Sequence, residues 1–110
     1  MKDYVIYILI ALVIGLYFLN NSNKSKKVLK MLENGSVVID VRTPQEYQSG
    51  HFSNSINIPL NSLQSKIDKI KSYDKGIVVV CASGMRSSQA KSILSKNGIE
   101  AYNGGSWKNL

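Results

Sequence analysis

A single cysteine, Cys81, carries most of the chemistry that this sequence offers. It directly follows the apolar segment 77–80, and a helical pattern begins at residue 87. A cysteine at the carboxyl end of a buried strand lies at the sheet edge where α/β proteins bind their ligands. Loop N–H groups, the positive end of the next helix and a nearby arginine all stabilise a thiolate at such a place. The pattern therefore predicts a reactive thiolate rather than the inert buried thiol that a lone cysteine usually is.

The segment that follows Cys81 is predicted to surround its sulfur atom. In a tight loop the backbone N–H groups converge on one point, and an arginine adds a full positive charge. We expect the same donors to hold a persulfide or another anion carried on the sulfur. The predicted substrate-binding residues are Ala82, Ser83, Gly84, Met85 and Arg86.

Alternating strand and helix patterns position this loop. Continuously apolar strands separated by helices favour an α/β domain with a largely parallel sheet. Strands are predicted at 37–41, 55–58, 77–80 and 99–102, and helices at 26–34, 44–50, 61–73 and 87–97. Gly35 is predicted to end the first helix in a left-handed conformation, and Thr43 and Glu46 are predicted to form a capping box at the start of the second. The inward-facing side chains of the helices are predicted to be Val28, Leu29, Leu32, Leu63, Ile67, Ile70, Ala90, Ile93 and Leu94.

An uncharged apolar run, residues 4–19, precedes this domain. As a helix it covers about 24 Å, a little short of a bilayer core of roughly 30 Å, and tyrosines at both ends extend the span. We predict a transmembrane helix over 4–19, a linker over 20–25 and the α/β domain over 26–110. The alternatives are a buried helix and a cleaved signal peptide, although no excess of positive charge precedes the run and no small-residue cleavage site follows it.

Charge predicts the location of the domain. The chain has 14 lysines and arginines against 7 acidic residues, a net charge of +7. Lysines at 24, 26, 27 and 30 follow the apolar run, so the positive-inside rule predicts a single-pass membrane protein with a cytoplasmic C-terminal domain. The unpaired cysteine agrees with a reducing compartment. We expect the lysines to lie near anionic lipid headgroups, and we expect no nucleic-acid partner because no aromatic residues interleave with them.

Four blocks of the sequence, taken in order, resemble the single-domain rhodaneses, a family of sulfurtransferases. They are residues 38–52 (VIDVRTPQEYQSGHF), 56–60 (INIPL), 81–87 (CASGMRS) and 104–107 (GGSW), and the resemblance covers roughly residues 26–110. It implies a rhodanese fold, a mostly parallel central sheet flanked by helices. It also implies that Cys81 takes a sulfane sulfur from a donor such as thiosulfate, becomes a persulfide and passes the sulfur to a thiol or cyanide. No metal or organic cofactor is implied. The stretch before the glycine pair is shorter than is usual in the family.

Polar residues of the first block are interpreted as structural. Capping of a helix and ion pairing explain Asp40, Arg42 and Glu46 without any chemistry, because these residues end a strand and open a helix. The resemblance suggests a contact of Glu46 with Arg86. We expect His51 to belong to a turn and not to act as a general base, since an ionised thiolate needs none.

Two other functions stay open. A cysteine phosphatase or arsenate reductase also uses a cysteine in a loop closed by an arginine. Four residues separate Cys81 from Arg86, however, whereas those enzymes resemble one another in having five. The smaller loop favours a single sulfur atom over a tetrahedral phosphate. The non-enzymatic alternative is an inactive rhodanese-like module that recruits a partner to the membrane.

Overall fold

Parallel strands form the centre of this fold. The structure is a computed structural model that describes the backbone of residues 2–110 and the side chains of residues 4–16 and 26–110. The strands are β1 (Val37–Asp40), β2 (Ser55–Asn57), β3 (Ile77–Cys81) and β4 (Ala101–Ser106). The helices are α1 (Lys2–Glu33), α2 (Pro44–Ser49), α3 (Ile67–Lys71) and α4 (Met85–Lys96), and two 3-10 helices span Leu60–Lys66 and Trp107–Asn109.

The strands are ordered β2-β1-β3-β4, and every pairing is parallel. Asp40 at the end of β1 is in register with Val80, so the carboxyl ends of the two central strands meet at one edge of the sheet. Cys81 is the last residue of β3 and lies at that edge. The predicted α/β domain with a largely parallel sheet flanked by helices is confirmed.

Apolar side chains cover both faces of the sheet. On one face Ile39 and Val79 pack with Leu63, Ile70 and Leu94 from the covering helices. On the other face β1 and β3 contribute Val38, Val78 and Val80, which pack against Val28, Trp107 and Leu110. Both central strands are thus buried on two sides, which explains their continuously apolar sequences.

Most of the predicted inward-facing side chains are buried. Val28, Leu63, Ile67, Ile70, Ala90 and Leu94 are buried, and Leu32 and Ile93 are partly buried. The prediction for Leu29 is wrong, since 49% of this residue is exposed. Successive residues of a helix point about 100° apart, so Leu29 turns toward solvent when Val28 faces the sheet.

Several element boundaries differ from the prediction. The helix expected over 61–73 is divided between the 3-10 helix Leu60–Lys66 and the shorter α3. Helix α4 begins at Met85, two residues before the predicted start, so that Met85 and Arg86 belong to its first turn. The loop between β3 and α4 therefore comprises only residues 82–84.

Strand β4 extends further than the predicted 99–102, because it includes the glycine pair. Val79 pairs with Asn103 while Val80 pairs with Gly105, so Gly104 is an extra residue in a β-bulge. A Cβ atom on Gly104 would lie 2.9 Å from the Cγ1 atoms of both Val78 and Val80. Only glycine permits this close passage over β3, and the pairing then continues as far as Ser106.

The prediction of a transmembrane helix over 4–19 is not supported by the structure. Within the part of the chain that the structure describes, no helix has an apolar stretch long enough to cross a membrane. The described apolar side chains at 4–16 cover about 20 Å of helix, against roughly 30 Å of bilayer core. The remainder of the predicted span, residues 17–19, lies outside the described side chains.

The predicted linker, residues 20–25, has a helical backbone within the continuous α1. This polar segment contains neither proline nor glycine, so it carries no residue that stops a helix. Gly35, with a φ of +82°, ends the hydrogen-bonded turns after α1 as predicted. The division of the chain into 4–19, 20–25 and 26–110 stays a prediction.

Candidate active site

Cys81 lies beneath a short loop at the carboxyl end of β3. Its side chain is fully buried and faces the core between the sheet and α4. The backbone N–H of Gly84 donates a hydrogen bond to the Cys81 Sγ over 2.9 Å. Because Gly84 immediately precedes α4, the same N–H lies at the positive end of a twelve-residue helix. The predicted strand, loop, cysteine and helix are therefore brought together.

Gly84 owes its place in this loop to its backbone conformation. Its φ is +101°, in the left-handed region that side chains disfavour. A Cβ atom there would also lie 3.5 Å from the Gly105 Cα, which is ordinary contact. In this left-handed conformation the Gly84 N–H points back toward the sulfur. The hydrogen bond to Cys81 therefore requires the positive φ of Gly84.

Ser87 is a second neighbour of the sulfur that the sequence analysis missed. Its buried hydroxyl lies 3.5 Å from the Cys81 Sγ, 2.6 Å from the Asn103 Oδ1 and 3.0 Å from the Gly84 carbonyl oxygen. The hydroxyl has one proton, so it donates to only one of these atoms at a time. Ser87 lies three residues before the inward-facing Ala90 and six residues after Cys81, and this spacing is the signal that identifies it in the sequence.

Asn103 connects the loop to the edge strand. Its Nδ2 donates to the Gly84 carbonyl oxygen over 3.2 Å, and its Oδ1 accepts the Gly105 N–H over 2.9 Å as well as the Ser87 hydroxyl. The loop around the sulfur is therefore fixed by β4 as well as by α4. No local pattern identifies Asn103, because its role depends on pairing between strands far apart in the sequence.

The surroundings of Cys81 act on its ionisation in opposite directions. Burial raises the pKa of the thiol, whereas hydrogen bonds from the Ser87 side chain and from the backbones of Ser87, Gly84 and Ser83 lower it. The net effect holds the pKa of Cys81 below its usual value. A thiolate is the nucleophilic form of cysteine, so this environment favours a reactive sulfur.

Arg86 is paired with Glu46, as the resemblance suggests. The two side chains form a bidentate ion pair with N to O distances of 2.6 and 2.9 Å. Hydrogen bonds from Arg86 and then from the Thr43 backbone lower the pKa of Glu46 to about 2, and the hydrogen bond to Glu46 raises the pKa of Arg86. Glu46 also completes the predicted capping box of α2 with Thr43. The pair therefore joins the start of α2 to the start of α4.

Of the other predicted substrate-binding residues, Ser83 acts on the sulfur through its backbone, which lowers the pKa of Cys81. Ala82 and Ser83 are exposed in the loop, and 75% of Met85 is exposed. Among the described contacts, Arg86 donates to Glu46 and not to the sulfur. Their predicted roles in binding a substrate stay predictions.

Asp40 and Arg42 form a buried structural pair beside the loop. Arg42 donates to both Asp40 carboxylate oxygens, with a shortest distance of 2.7 Å, and also to the carbonyl oxygens of Glu46 and Gly50. Its guanidinium lies 4.7 Å from the ring centroid of Trp107. These contacts join β1 to both ends of α2, which agrees with the structural interpretation of the pair.

His51 lies in the turn after α2. Its Nδ1 is 2.7 Å from the Tyr47 carbonyl oxygen, and its ring stacks on the Tyr47 ring with centroids 3.7 Å apart. The histidine thus covers the last turn of the helix, as expected of a turn residue.

Comparisons with known proteins agree with this arrangement. A profile of the rhodanese-like domain family matches residues 24–108. Thiosulfate sulfurtransferase PspE of Escherichia coli (strain K12) is 38% identical over 74 residues, which cover 66% of this chain and 71% of that protein. A solved structure of a rhodanese with anions from E. coli is 36% identical with a TM-score of 0.64, and the match covers 69% of this chain and 92% of that one.

Some relatives are much longer than this chain. tRNA uridine(34) hydroxylase of Buchnera aphidicola is 35% identical over 82 residues, which cover 69% of this chain but only 26% of the hydroxylase. The chain likewise spans 52% of the Bacillus subtilis protein YqhL, to which it is 40% identical. The family profile matches residues 24–108, a range that contains Cys81, its loop and the following helix. By this match, the chain belongs to the family of rhodanese-like domains.

Proposed function

We propose that this domain is a sulfurtransferase that moves a sulfane sulfur through a persulfide on Cys81. The observation that carries the proposal is the Gly84 N–H, which lies 2.9 Å from the Cys81 Sγ at the positive end of α4. That donor stabilises negative charge on the sulfur before the reaction and after sulfur transfer. The PspE relative is a thiosulfate sulfurtransferase by name, which supports the same class of reaction.

The proposed reaction has two displacements at sulfur. The Cys81 thiolate attacks the outer sulfur of thiosulfate, a new S–S bond forms, and the S–S bond of thiosulfate breaks to release sulfite. An acceptor thiolate then attacks the outer sulfur of the Cys81 persulfide, and Cys81 leaves as a thiolate. Neither step needs an oxidant or a reductant. Since Cys81 is the only cysteine in the sequence, the acceptor thiol comes from another molecule.

Intact-protein mass spectrometry tests this proposal. After incubation with thiosulfate, we expect the mass to rise by one sulfur atom, and subsequent cyanide to restore the original mass. Cys81→Ser should gain no sulfur, because a hydroxyl is a far weaker nucleophile at neutral pH. Sulfur addition to the serine variant would disprove the assignment of Cys81.

Hydrolysis of an aryl phosphate by the same preparation tests the phosphatase alternative. The loop between β3 and α4 comprises only residues 82–84, and a loop this short supports transfer of one sulfur atom over transfer of the larger phosphate group. We expect no appreciable hydrolysis. Hydrolysis faster than sulfur transfer would favour the phosphatase class.

We further propose that residues 4–19 attach the domain to a membrane, with the C-terminal domain on the cytoplasmic side. The apolar side chains described between Tyr4 and Leu16 are about half exposed or more, as in Tyr4 (73%), Val13 (66%) and Leu16 (63%). Exposed apolar residues on every side of one helix favour a lipid environment. We expect the full chain to stay in the membrane fraction after washing with high salt or alkaline carbonate, and release by carbonate would contradict the proposal.

A further inference from the structure

A groove of about 520 Å³ lies along the outer side of the edge strand β4. Residues near the end of α1 and Lys91 in the middle of α4 form its walls, and β4 lies between them. The volume is within the range of small-molecule binding sites, roughly 300 to 1,000 Å³. Ser83 and Gly84 of the loop line the groove, so it reaches the loop that holds Cys81.

Two lysines give this groove a positive charge. Lys27 and Lys91 line it from opposite walls, and the Lys27 Nζ lies 4.4 Å from the ring centroid of Tyr102. Neither lysine forms an ion pair with any carboxylate whose side chain the structure describes. Glu100 accepts a hydrogen bond from the Tyr102 hydroxyl over 2.9 Å but does not line the groove. A concave site with uncompensated cations attracts anionic ligands.

The groove and the sulfur site share one residue. Gly84 lines the groove, and its N–H donates to the Cys81 Sγ. A ligand bound in the groove therefore lies next to the same loop that covers the sulfur. Cys81 itself does not line the groove, so a thiol bound there would have to reach the sulfur past this loop. The proposed second displacement requires such a thiol from another molecule.

We propose that the groove selects the sulfur acceptor, and that this acceptor is a small thiol carrying carboxylate groups. The inference rests on the proposed sulfur transfer. Lys27 and Lys91 bind the carboxylates, and the thiolate of the same molecule attacks the outer sulfur of the persulfide. The bond between that sulfur and the Cys81 Sγ breaks as the new S–S bond forms. Lys27 and Lys91 are thus specificity-determining residues for the acceptor.

Discharge of the loaded protein tests this inference. Cys81 is first loaded with thiosulfate, and mass spectrometry then follows the loss of the added sulfur with mercaptosuccinate, a dicarboxylate thiol, or with uncharged 2-mercaptoethanol. In the double variant Lys27→Gln, Lys91→Gln, we expect the half-maximal mercaptosuccinate concentration to rise about tenfold, as expected from two exposed charge contacts. Discharge by 2-mercaptoethanol should stay within about twofold of the wild type. Lys96→Gln is the matched control, since Lys96 lies on the same α4 helix but does not line the groove.

Succinate, which has no thiol, provides a measurement independent of sulfur transfer. We expect it to compete with mercaptosuccinate in the wild type and to shift amide NMR signals of β4 and the loop, but not in the double variant. Two results for the double variant would overturn the inference while leaving sulfur transfer intact. One is that discharge by mercaptosuccinate and by 2-mercaptoethanol is weakened equally, and the other is that discharge by mercaptosuccinate is unchanged. Failure of Cys81 to load would overturn the proposed function instead, and the succinate measurement would then decide whether the groove binds anions at all.

Discussion

Two arginines near the same end of the sheet have opposite surroundings. The side chains of Arg42 and Asp40 are 5% and 0% exposed, whereas those of Arg86 and Glu46 are 35% and 36% exposed. The first pair joins β1 to α2, because Arg42 also donates hydrogen bonds to the carbonyl oxygens of Glu46 and Gly50. The second pair lies at the start of α4, next to the loop that covers the Cys81 sulfur. Charges in the first region therefore serve the fold, while the second region holds the reactive group.

Asp40→Asn tests the structural side of this comparison and should have the largest effect. Removing one partner of a buried ion pair leaves the other charge uncompensated, which costs about 3 to 5 kcal/mol of unfolding free energy. Urea denaturation followed by circular dichroism measures this loss. Asp68→Asn, at an exposed position of α3, should change stability little. If folded Asp40→Asn protein loads sulfur a hundredfold more slowly than the wild type, the pair has a chemical role that the comparison denies.

Gly84→Ala tests the chemical side. The left-handed φ of +101° disfavours alanine, so the loop shifts and the N–H moves away from the Cys81 Sγ. Loss of one such donor lowers rates by about a hundredfold, and we expect this fall in sulfur loading from thiosulfate. Gly98→Ala is the matched control, because Gly98 also has a positive φ of +78° but is remote from the sulfur in the sequence and has no atom within 4 Å of an added Cβ. Equal losses in the two variants would show that backbone strain, not the donor, accounts for the effect.

Ser87→Ala sharpens the comparison within the reactive region. Removing the hydroxyl removes a hydrogen bond that lowers the pKa of Cys81, so the pKa should rise. We expect the pH midpoint of iodoacetamide alkylation to move upward by about one unit, close to the effect of one hydrogen bond to a charged group. Ser88→Ala, at an exposed position of the same helix, is the control. An unchanged midpoint would show that Ser87 serves only to bind Asn103.

The same ionisation affects stability. Because the pKa of folded Cys81 is depressed, the thiolate contributes stability at pH values above the pKa of the unfolded thiol. That contribution is lost as pH falls through the lower pKa of the folded protein. In Ser87→Ala the thiolate should contribute less to the stability of the folded protein. Urea midpoints of wild type and variant, measured below and above the pKa of the unfolded thiol, test this expectation.

Glu46→Gln should have the smallest effect. The pKa of Glu46 is lowered to about 2, so its pairing with Arg86 stabilises the fold at pH values above 4.5 and is lost as pH falls toward 2. The stability difference between wild type and variant should therefore be constant near neutral pH and vanish in acid. Sulfur loading should fall less than about threefold, since the pair is exposed. Glu33→Gln is the control, and a larger fall in loading would place the ion pair in the chemistry.

The sequence was most informative where local patterns determine structure. The capping box at Thr43 and Glu46 and the left-handed stop at Gly35 depend on neighbouring residues, and the structure confirms both. The apolar strand before Cys81 likewise predicts the position of the sulfur at the sheet edge. Such patterns can be recognised within one segment of the chain because the interacting residues are close together in the sequence.

The remaining features depend on contacts between distant segments. Asn103 contacts the loop only because β4 pairs with β3. The bulge at Gly104 could be predicted only if its contacts with the valines of β3 were known. The strand end was therefore placed too early in the sequence analysis. Ser87 is different, because it lies within the predicted helix 87–97 and three residues before the inward-facing Ala90. Helical spacing therefore already directs its side chain toward the core.

Burial of Cys81 has a consequence for the size of reagents that reach it. The residue is 0% exposed, so a reagent contacts the sulfur only after it passes the residues that cover it, which include Gly84. We therefore expect reaction rates with Cys81 to depend on the size of the reagent. Thiosulfate and iodoacetamide should react with the sulfur faster than a bulky aromatic maleimide does. For the same reason, two copies of the chain cannot become linked through their cysteines while both loops stay closed. The buried sulfur would thus be kept for exchange with small molecules.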